Sequence, residues 1–316
     1  MTSRAHATLG VPLLRVQGTL DRIVLAMSRR PVLLLVSPVA LFLLVFFLTP
    51  FLSLFRVSLA SNPGGSGYGA GTPFYREGTW TIDNYVRFFS DAYFLKMALF
   101  TVQFGVLVCI ISTVVSFAFA YQIYRSPPWL KGVLLLTVIL PKFTNVLVLM
   151  YGLLVVFGTS GLLNRALMAL GVINDPIIML FNLFGVMLGE TILVMPYCVL
   201  VILAVLQSID RSLVDAAQGL GASRLRAFWE VSLPLSLPGV WVSVLLSFMW
   251  GVGAFAAPYL LGNPDLYTLA VEVDNQVNGR LNWAMGATIA FVLMGIIGGL
   301  IYVYARVQRG DQETHA

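Results

Sequence analysis

Asp215-Ala-Ala-Gln-Gly-Leu-Gly221-Ala-Ser223, followed by Phe228, Val231 and Leu233-Pro234, lies in a polar gap between two long apolar segments. Ser212-x-x-Asp215 reads as a capping-box start, because a serine hydroxyl and an acid three residues on both satisfy free backbone N–H groups. Leu213, Ala216, Ala217 and Leu220 recur at i, i+3, i+4 and i+7, which draws one apolar stripe along a short helix. Gly221 is the expected end of that helix, since glycine takes the left-handed conformation at low cost. The two alanines keep the stripe low, so another surface can come close. Pro234 and Pro238 mark where the chain is expected to re-enter a helix, in the first turn that tolerates proline. A connector lying on a membrane surface and a helix that docks onto a partner both fit; the docking helix is expected.

The rest of the chain supplies the membrane. Of 316 residues, 59% are hydrophobic and 10% charged, against about 25% charged in soluble domains. The runs 31–55, 97–124, 231–264 and 281–305 carry no charge, and each exceeds the roughly 20 residues a bilayer crossing needs. Two further apolar segments, near 132–157 and 177–207, are interrupted only by Lys142 and Glu190. The expectation is an all-α membrane protein with six transmembrane helices. It divides into a basic tail 1–30, a membrane domain 31–306 with an external loop 57–95 and a polar loop 208–238, and a tail 307–316. The first apolar run is too long for a cleavable signal core and ends in no small-x-small site, so it reads as a retained helix.

Orientation follows from the positive charges. With six spans both termini share a side with the loops at 123–131 and 208–238. That side holds Arg4, Arg15, Arg22, Arg29, Arg30, Arg125, Lys131, Arg211, Arg224, Arg226, Arg306 and Arg309, and the other Arg56, Arg76, Arg87, Lys96, Arg165 and Arg280. The larger group marks the cytoplasm, so both termini and the 208–238 loop are expected there. The net charge of +5 is thereby accounted for by topology, with no call for nucleic acid.

Several chemistries find no support. Cys109 and Cys198 fall inside spans without metal-ligand spacing and read as packing residues. His6 and His315 lie in the tails. No G-x-x-x-x-G-K-[ST] occurs, so the chain holds no P-loop; the glycine-rich run Asn62–Gly71 lacks the lysine and reads as an external loop.

With its small residues, glycine and distal Leu-Pro, the 215–234 segment closely resembles the EAA loop of permease subunits in bacterial ABC importers that depend on a binding protein. Trp80-Thr-Ile-Asp-Asn-Tyr-Val-Arg-Phe-Phe-Ser90, Leu140-Pro-Lys-Phe-Thr-Asn145, Tyr151-Gly152, Gly161-Leu-Leu-Asn164, Gly171-Val-Ile and Met195-Pro196 extend the resemblance to spermidine/putrescine-type permeases over about 80–300. The resemblance implies a type I ABC importer permease fold in the bacterial inner membrane, surrounded by lipid, with a cytoplasmic coupling helix. Asp215, Ala216, Ala217, Leu220, Gly221, Ala222 and Ser223 would carry the ATPase coupling. Asp215 stands where the family usually has Glu, so its charge reaches one methylene less far. The implied partners are a cytoplasmic ATPase dimer that binds the ATP, a second homologous permease, and a periplasmic substrate-binding protein; no cofactor or metal is held by this chain. The implied cargo is a polyamine or a related amine or opine-like solute, moved by alternating access. The alternative is a secondary transporter, but no convincing internal halves are present.

Aromatic residues at 85, 88 and 89 suit a short helix at the outer interface. Pro141 and Pro196 each remove a backbone hydrogen bond from a span, and Gly286, Gly295, Gly298 and Gly299 read as helix-packing positions. Lys142 and Glu190 are the formally charged residues deep in the spans. A lone charge there costs about 2.5–3.5 kcal/mol on the lenient insertion scale, so each needs a partner or a watery cavity. They are expected to face each other or a common cavity, either as a structural ion pair or with Glu190 receiving an amine and Lys142 a carboxylate or phosphonate. Asn145 and Tyr151, from the stretches that carry the resemblance, join them as expected pathway residues.

Overall fold

The computed structural model describes residues 31–61, 75 and 78–314, with side chains for all of these except 31–35, 211 and 307–314. The basic tail 1–30, the glycine-rich run 62–71 and Arg76 therefore lie outside the described residues. All regular structure among the described residues is helical. Six stretches are long and apolar enough to cross a bilayer: Val36–Ser58, Ala92–Arg125, Val146–Ala169, Leu183–Ser208, Arg224–Val252 and Trp283–Arg306. The chain divides into two units, Met1–Arg56 and Val57–Ala316.

The first unit contributes most of α1, which runs through Pro31–Leu43, a wide π turn at Leu44–Leu48, and Thr49–Ser58. Between Val36 and Phe55 its side chains are apolar on all sides and mostly exposed, the pattern of a helix that meets hydrocarbon rather than water.

The second unit is built around three long helices, α3 (Ala92–Arg125), α7 (Leu183–Ser208) and α10 (Leu233–Val252). Lipid tails are as apolar as leucine, so burying leucine does not hold such helices together; close backbone approach and interhelical hydrogen bonds do. Both are present. A Cβ on Gly239 of α10 would stand 2.9 Å from Val205 Cγ2 of α7. Thr113 shares its hydroxyl with Ser243 at 3.4 Å and Ser247 at 3.3 Å, joining α3 to α10, and Ser112 donates to Thr191 of α7 at 3.4 Å. Phe104, Val108, Met150, Val194 and Cys198 fill one core cluster, and Ile123, Ile202 and Leu206 a second one. Cys109 and Cys198 are buried and free.

Two spans of the second unit depart from unbroken rods. The expected third segment, 132–157, divides into α4 (Pro128–Ile139), a 3₁₀ turn at Leu140–Phe143 that carries Pro141, and α5 (Val146–Phe157), and the stretch long and apolar enough to cross is Val146–Ala169. Asn145 restarts the helix by accepting from the Leu147 N–H at 2.8 Å. After α5 come α6 (Leu162–Ala169) and an irregular stretch before α7.

The fifth span starts earlier and ends earlier than the uncharged run 231–264. Ser223 accepts from the Arg226 N–H and begins α9 (Arg224–Ala227), which continues through a π turn at Phe228–Ser232 into α10. Pro234 and Pro238 therefore lie within a helix already under way. Beyond Val252 the chain turns at Gly253 into α11 (Ala256–Leu261), a 3₁₀ turn at Pro264–Leu266 and α12 (Leu269–Asp274). Side chains pair the backbone that this break frees: Thr268 Oγ1 donates to the Ala254 carbonyl at 2.6 Å, and the Leu269 N–H donates to Thr101 Oγ1 at 2.9 Å. Irregular backbone at membrane depth survives only with such partners.

Two smaller expectations change. In the helix Asp83–Ser90 (α2, between α1 and α3), Phe88 is buried and stacks on Phe94 at 5.5 Å, so it is a core ring and not an interfacial one. In α13 (Trp283–Thr314), Gly286 packs closely, its would-be Cβ 2.6 Å from Val277 Cγ2, whereas Gly295, Gly298 and Gly299 meet nothing within 4 Å.

Candidate functional site

The docking helix forms as α8 (Arg211–Gly219). Its cap is Asp210, which accepts from the Ser212 N–H at 2.9 Å, and not the Ser212–Asp215 box; the chain turns helical two residues sooner than the box requires. Hydrogen bonding from the Ser212 backbone and hydroxyl holds the Asp210 carboxyl below its usual value. The far end closes as the glycine implies. Gly221 has φ +92°, the Ala222 N–H donates to the Ala217 carbonyl and the Gly221 N–H to the Gln218 carbonyl, both at 3.0 Å. This is the Schellman arrangement, which satisfies carbonyls a helix end would leave bare.

The stripe points outward. Leu220 is 91% exposed and Leu213 49%; Ala216 is exposed, while Ala217 and Ala222 are half-buried. Two apolar side chains from the following segment join them on the surface, Leu225 at 68% and Trp229 at 59%. Ser223 is used locally, as the cap of α9. Asp215 lines a cleft with Tyr121, Tyr124, Arg125, Gln218 and Arg224, so its carboxylate borders two arginines of its own chain.

Inside the spans, the structure separates what the sequence paired. Lys142 Nζ lies over the ring of Tyr197, 3.9 Å from its centroid, and 5.1 Å from that of Trp250. It borders a cleft with Pro141, Thr144, Leu149, Ile192 and Pro196, which Glu190 does not line. Glu190 is 1% exposed, and its Oε2 has no hydrogen-bond partner among the described residues. The ion pairs among the described residues are Arg226–Glu230 and Arg280–Glu272, so the expected Lys142–Glu190 bridge is not formed. Glu190 precedes Tyr197 by two turns of α7, about 10 Å, and the rings of Tyr197 and Trp250 take the ammonium instead. Asn145 is exposed and spends its side-chain oxygen on capping α5; Tyr151 is 57% exposed.

Sequence reading passed over Tyr197 and Trp250, whose signal was a deep lysine with no acid at helical spacing. It also passed over Glu272, fully buried on α12. Its Oε1 accepts from Gln276 Nε2 at 2.6 Å, its Oε2 from the Tyr93 hydroxyl at 3.0 Å, and Arg280 stands 3.9 Å away.

Comparison with known proteins fits this geometry. Residues 112–308 match the model of the binding-protein-dependent transport system inner membrane component family. The chain is 30% identical over 230 residues to the spermidine/putrescine transport system permease protein PotB of Escherichia coli, covering 73% of this chain and 83% of that protein. It is 28% identical over 267 residues to PotB of Haemophilus influenzae, covering 84% and 90%. A bacterial alginate ABC transporter, solved with its alginate pentasaccharide-bound periplasmic protein, has the same fold, with a TM-score of 0.70 at 15% identity over 93% of this chain and 97% of that one. The outward-facing helix between spans four and five, the three-helix core and the match over 112–308 agree: the chain belongs to the inner membrane components of binding-protein-dependent transport systems and is the permease subunit of an ABC importer, whose ATPase is a separate subunit.

Proposed function

We propose that this permease carries a small organic amine of the polyamine class across the inner membrane, and that α8 is the lever through which ATP drives it. The observation that carries the coupling half is the form of α8: a capped helix, closed at Gly221, with Leu213 and Leu220 presented to the outside. Exposed leucines flanked by alanine make a low apolar face suited to a groove on another protein. The amine half is supported by the resemblance to PotB at 30% identity.

In this reading the termini and α8 face the cytoplasm and a dimeric ATPase sits beneath. A second, homologous permease completes the pathway, and a periplasmic protein delivers the solute. Closure of the ATPase pair moves α8, which swings the spans between inward-open and outward-open states, so ATP and the loaded binding protein bias one equilibrium. The test is reconstitution of the permease pair, ATPase and binding protein in proteoliposomes. ATP-dependent uptake of labelled 1,4-diaminobutane or spermidine is expected; ATP-dependent uptake of a different solute class alone overturns the amine half, and uptake that proceeds without the ATPase overturns the coupling half.

A further inference from the structure

Lys142 is the cation that interrupts the third apolar segment of the sequence. Helices α4 and α5 together run from Pro128 to Phe157, with Lys142 in the turn that joins them, about 20 Å along from Pro128. Lys142 is exposed in the chain taken alone, and the ion pairs among the described residues do not include it. Its ammonium is met by two aromatic faces contributed by two different helices, Tyr197 of α7 and Trp250 of α10. The ring centroids are 5.0 Å apart and the planes are inclined by 39°, so the pair forms a notch open on one side. The electron-rich face of each ring attracts a cation, tryptophan most strongly.

The lysine is mounted on the least regular backbone of its span. The Leu140–Phe143 turn is 3₁₀ and carries Pro141, and Pro196 adjoins the notch on α7. Each proline removes a backbone donor, and a 3₁₀ turn in mid-helix marks a place where geometry changes easily. One face of α7 also carries Glu190, seven residues before Tyr197, with an oxygen that no described residue satisfies. An unpaired acid and an occupied cation notch thus stand about 10 Å apart on one stripe.

We propose that Tyr197 and Trp250 form an alkylammonium site on the translocation pathway, and that Lys142 is its tethered occupant, which a solute ammonium displaces. The inference rests on the amine-importer reading and deepens it by naming the subsite and its competitor. A lysine side chain is an aliphatic amine on a short chain, chemically the end of a diamine, so the notch accepts either cation and not both at once. A tethered competitor lowers the site's apparent affinity by the fraction of time it is seated. The solute is therefore held weakly while Lys142 is seated, and tightly only in the conformation that withdraws the 140–143 turn.

The test compares wild type, Lys142→Met and Lys142→Arg in the complete transporter, with 1,4-diaminobutane as the probe. Binding is measured calorimetrically on the detergent-solubilised complex without binding protein, alongside ATP-driven uptake. Lys142→Met keeps the apolar stem and removes the cation, so binding is expected to tighten by about tenfold, and Trp250→Leu added to it should abolish the gain. Lys142→Arg should behave as wild type. Unchanged affinity in Lys142→Met, or a gain that survives Trp250→Leu, overturns the proposal. So does a loss of uptake in Lys142→Met restored by arginine, which would make Lys142 a ligand for an anionic solute group. Should Lys142→Met fail to assemble, Lys142→Gln takes its place. If wild type neither binds nor imports the diamine while its ATPase remains attached and active, the amine reading itself fails; if wild type imports it and the variants show no gain, only the tethered-occupant inference falls.

Discussion

Gly105 and Gly251 meet where α3 crosses α10. A Cβ on Gly251 would stand 3.0 Å from the Gly105 Cα and 2.9 Å from the Val108 Cβ, and one on Gly105 would stand 2.6 Å from Val252 Cγ2. The two backbones touch with nothing between them, as small residues allow in membrane helices. Gly251→Leu therefore drives a side chain against backbone and should destabilise the permease by at least about 1–3 kcal/mol, with Gly251→Ala falling between it and wild type. Thermal unfolding of the detergent-solubilised protein reads the effect. A Gly251→Leu protein melting with wild type would show that the helices do not cross at this point.

Gly221 closes α8 with φ +92°, and a Cβ there would meet nothing within 4 Å. Any effect of substitution is consequently conformational. The left-handed region costs a branched side chain about 1–2 kcal/mol, and asparagine less. Gly221→Val should insert normally but retain less ATPase on affinity purification than Gly221→Asn. Equal ATPase recovery from the two variants would mean that the closure of α8 does not matter for docking.

The order of the chain in the membrane was legible because it rests on charge. Four runs without Asp, Glu, Lys or Arg and two interrupted by a single charge located six spans, and the glycine after the Ala-Ala pair located the end of α8. What the sequence concealed lies inside the uncharged runs. The turn at Gly253 and the short helix Ala256–Leu261 read as more of span five, because hydropathy cannot distinguish a straight apolar helix from a broken one. The break is stabilised by Thr101 and Thr268, distant in sequence, whose hydroxyls pair the freed backbone. The same blindness affected Lys142. Sequence offers one acid at similar depth and suggests a bridge, whereas helix packing brings Tyr197 and Trp250 to the ammonium instead.

Leu220 is 91% exposed and contributes almost nothing to the fold of this chain. Leu220→Asp should therefore leave the melting temperature close to wild type, a surface change being worth within about 0.5 kcal/mol. ATPase recovery and ATP-driven uptake should fall together, and Ala217→Arg should do the same by bulk. Full ATPase recovery with both substitutions present would remove α8 from the docking surface.

Glu272 ties three elements through one buried carboxylate, accepting from Tyr93 of α3 and from Gln276 beyond α12, with Arg280 near. Glu272→Ala leaves the buried Gln276 amide and the Tyr93 hydroxyl without their acceptor, a loss of about 1–3 kcal/mol per unsatisfied group. Tyr93→Phe, which removes one donor from the partly exposed end, should cost less. A drop in melting temperature in the order Glu272→Ala, then Tyr93→Phe, then wild type is expected; the reverse order would show that Glu272 is not the centre of the network.

Glu190 presents the opposite case, a buried acid with an oxygen that no described residue holds. It is 1% exposed, its Oε2 has no partner among the described residues, and it is in neither ion pair found there, so its removal strands no opposing charge among them. Replacing an uncompensated buried ionisable group by an apolar one of similar volume is commonly neutral or stabilising. Glu190→Met should accordingly melt at or above the wild-type temperature. A residue retained against stability is one that function requires, and intramembrane acids mark solute pathways by default. Uptake by the reconstituted Glu190→Met transporter should therefore fall severalfold while ATPase recovery is unchanged, because α8 lies far along the chain from the substitution. A marked fall in melting temperature would reveal that the carboxyl is held structurally, and unchanged uptake would take Glu190 out of the pathway.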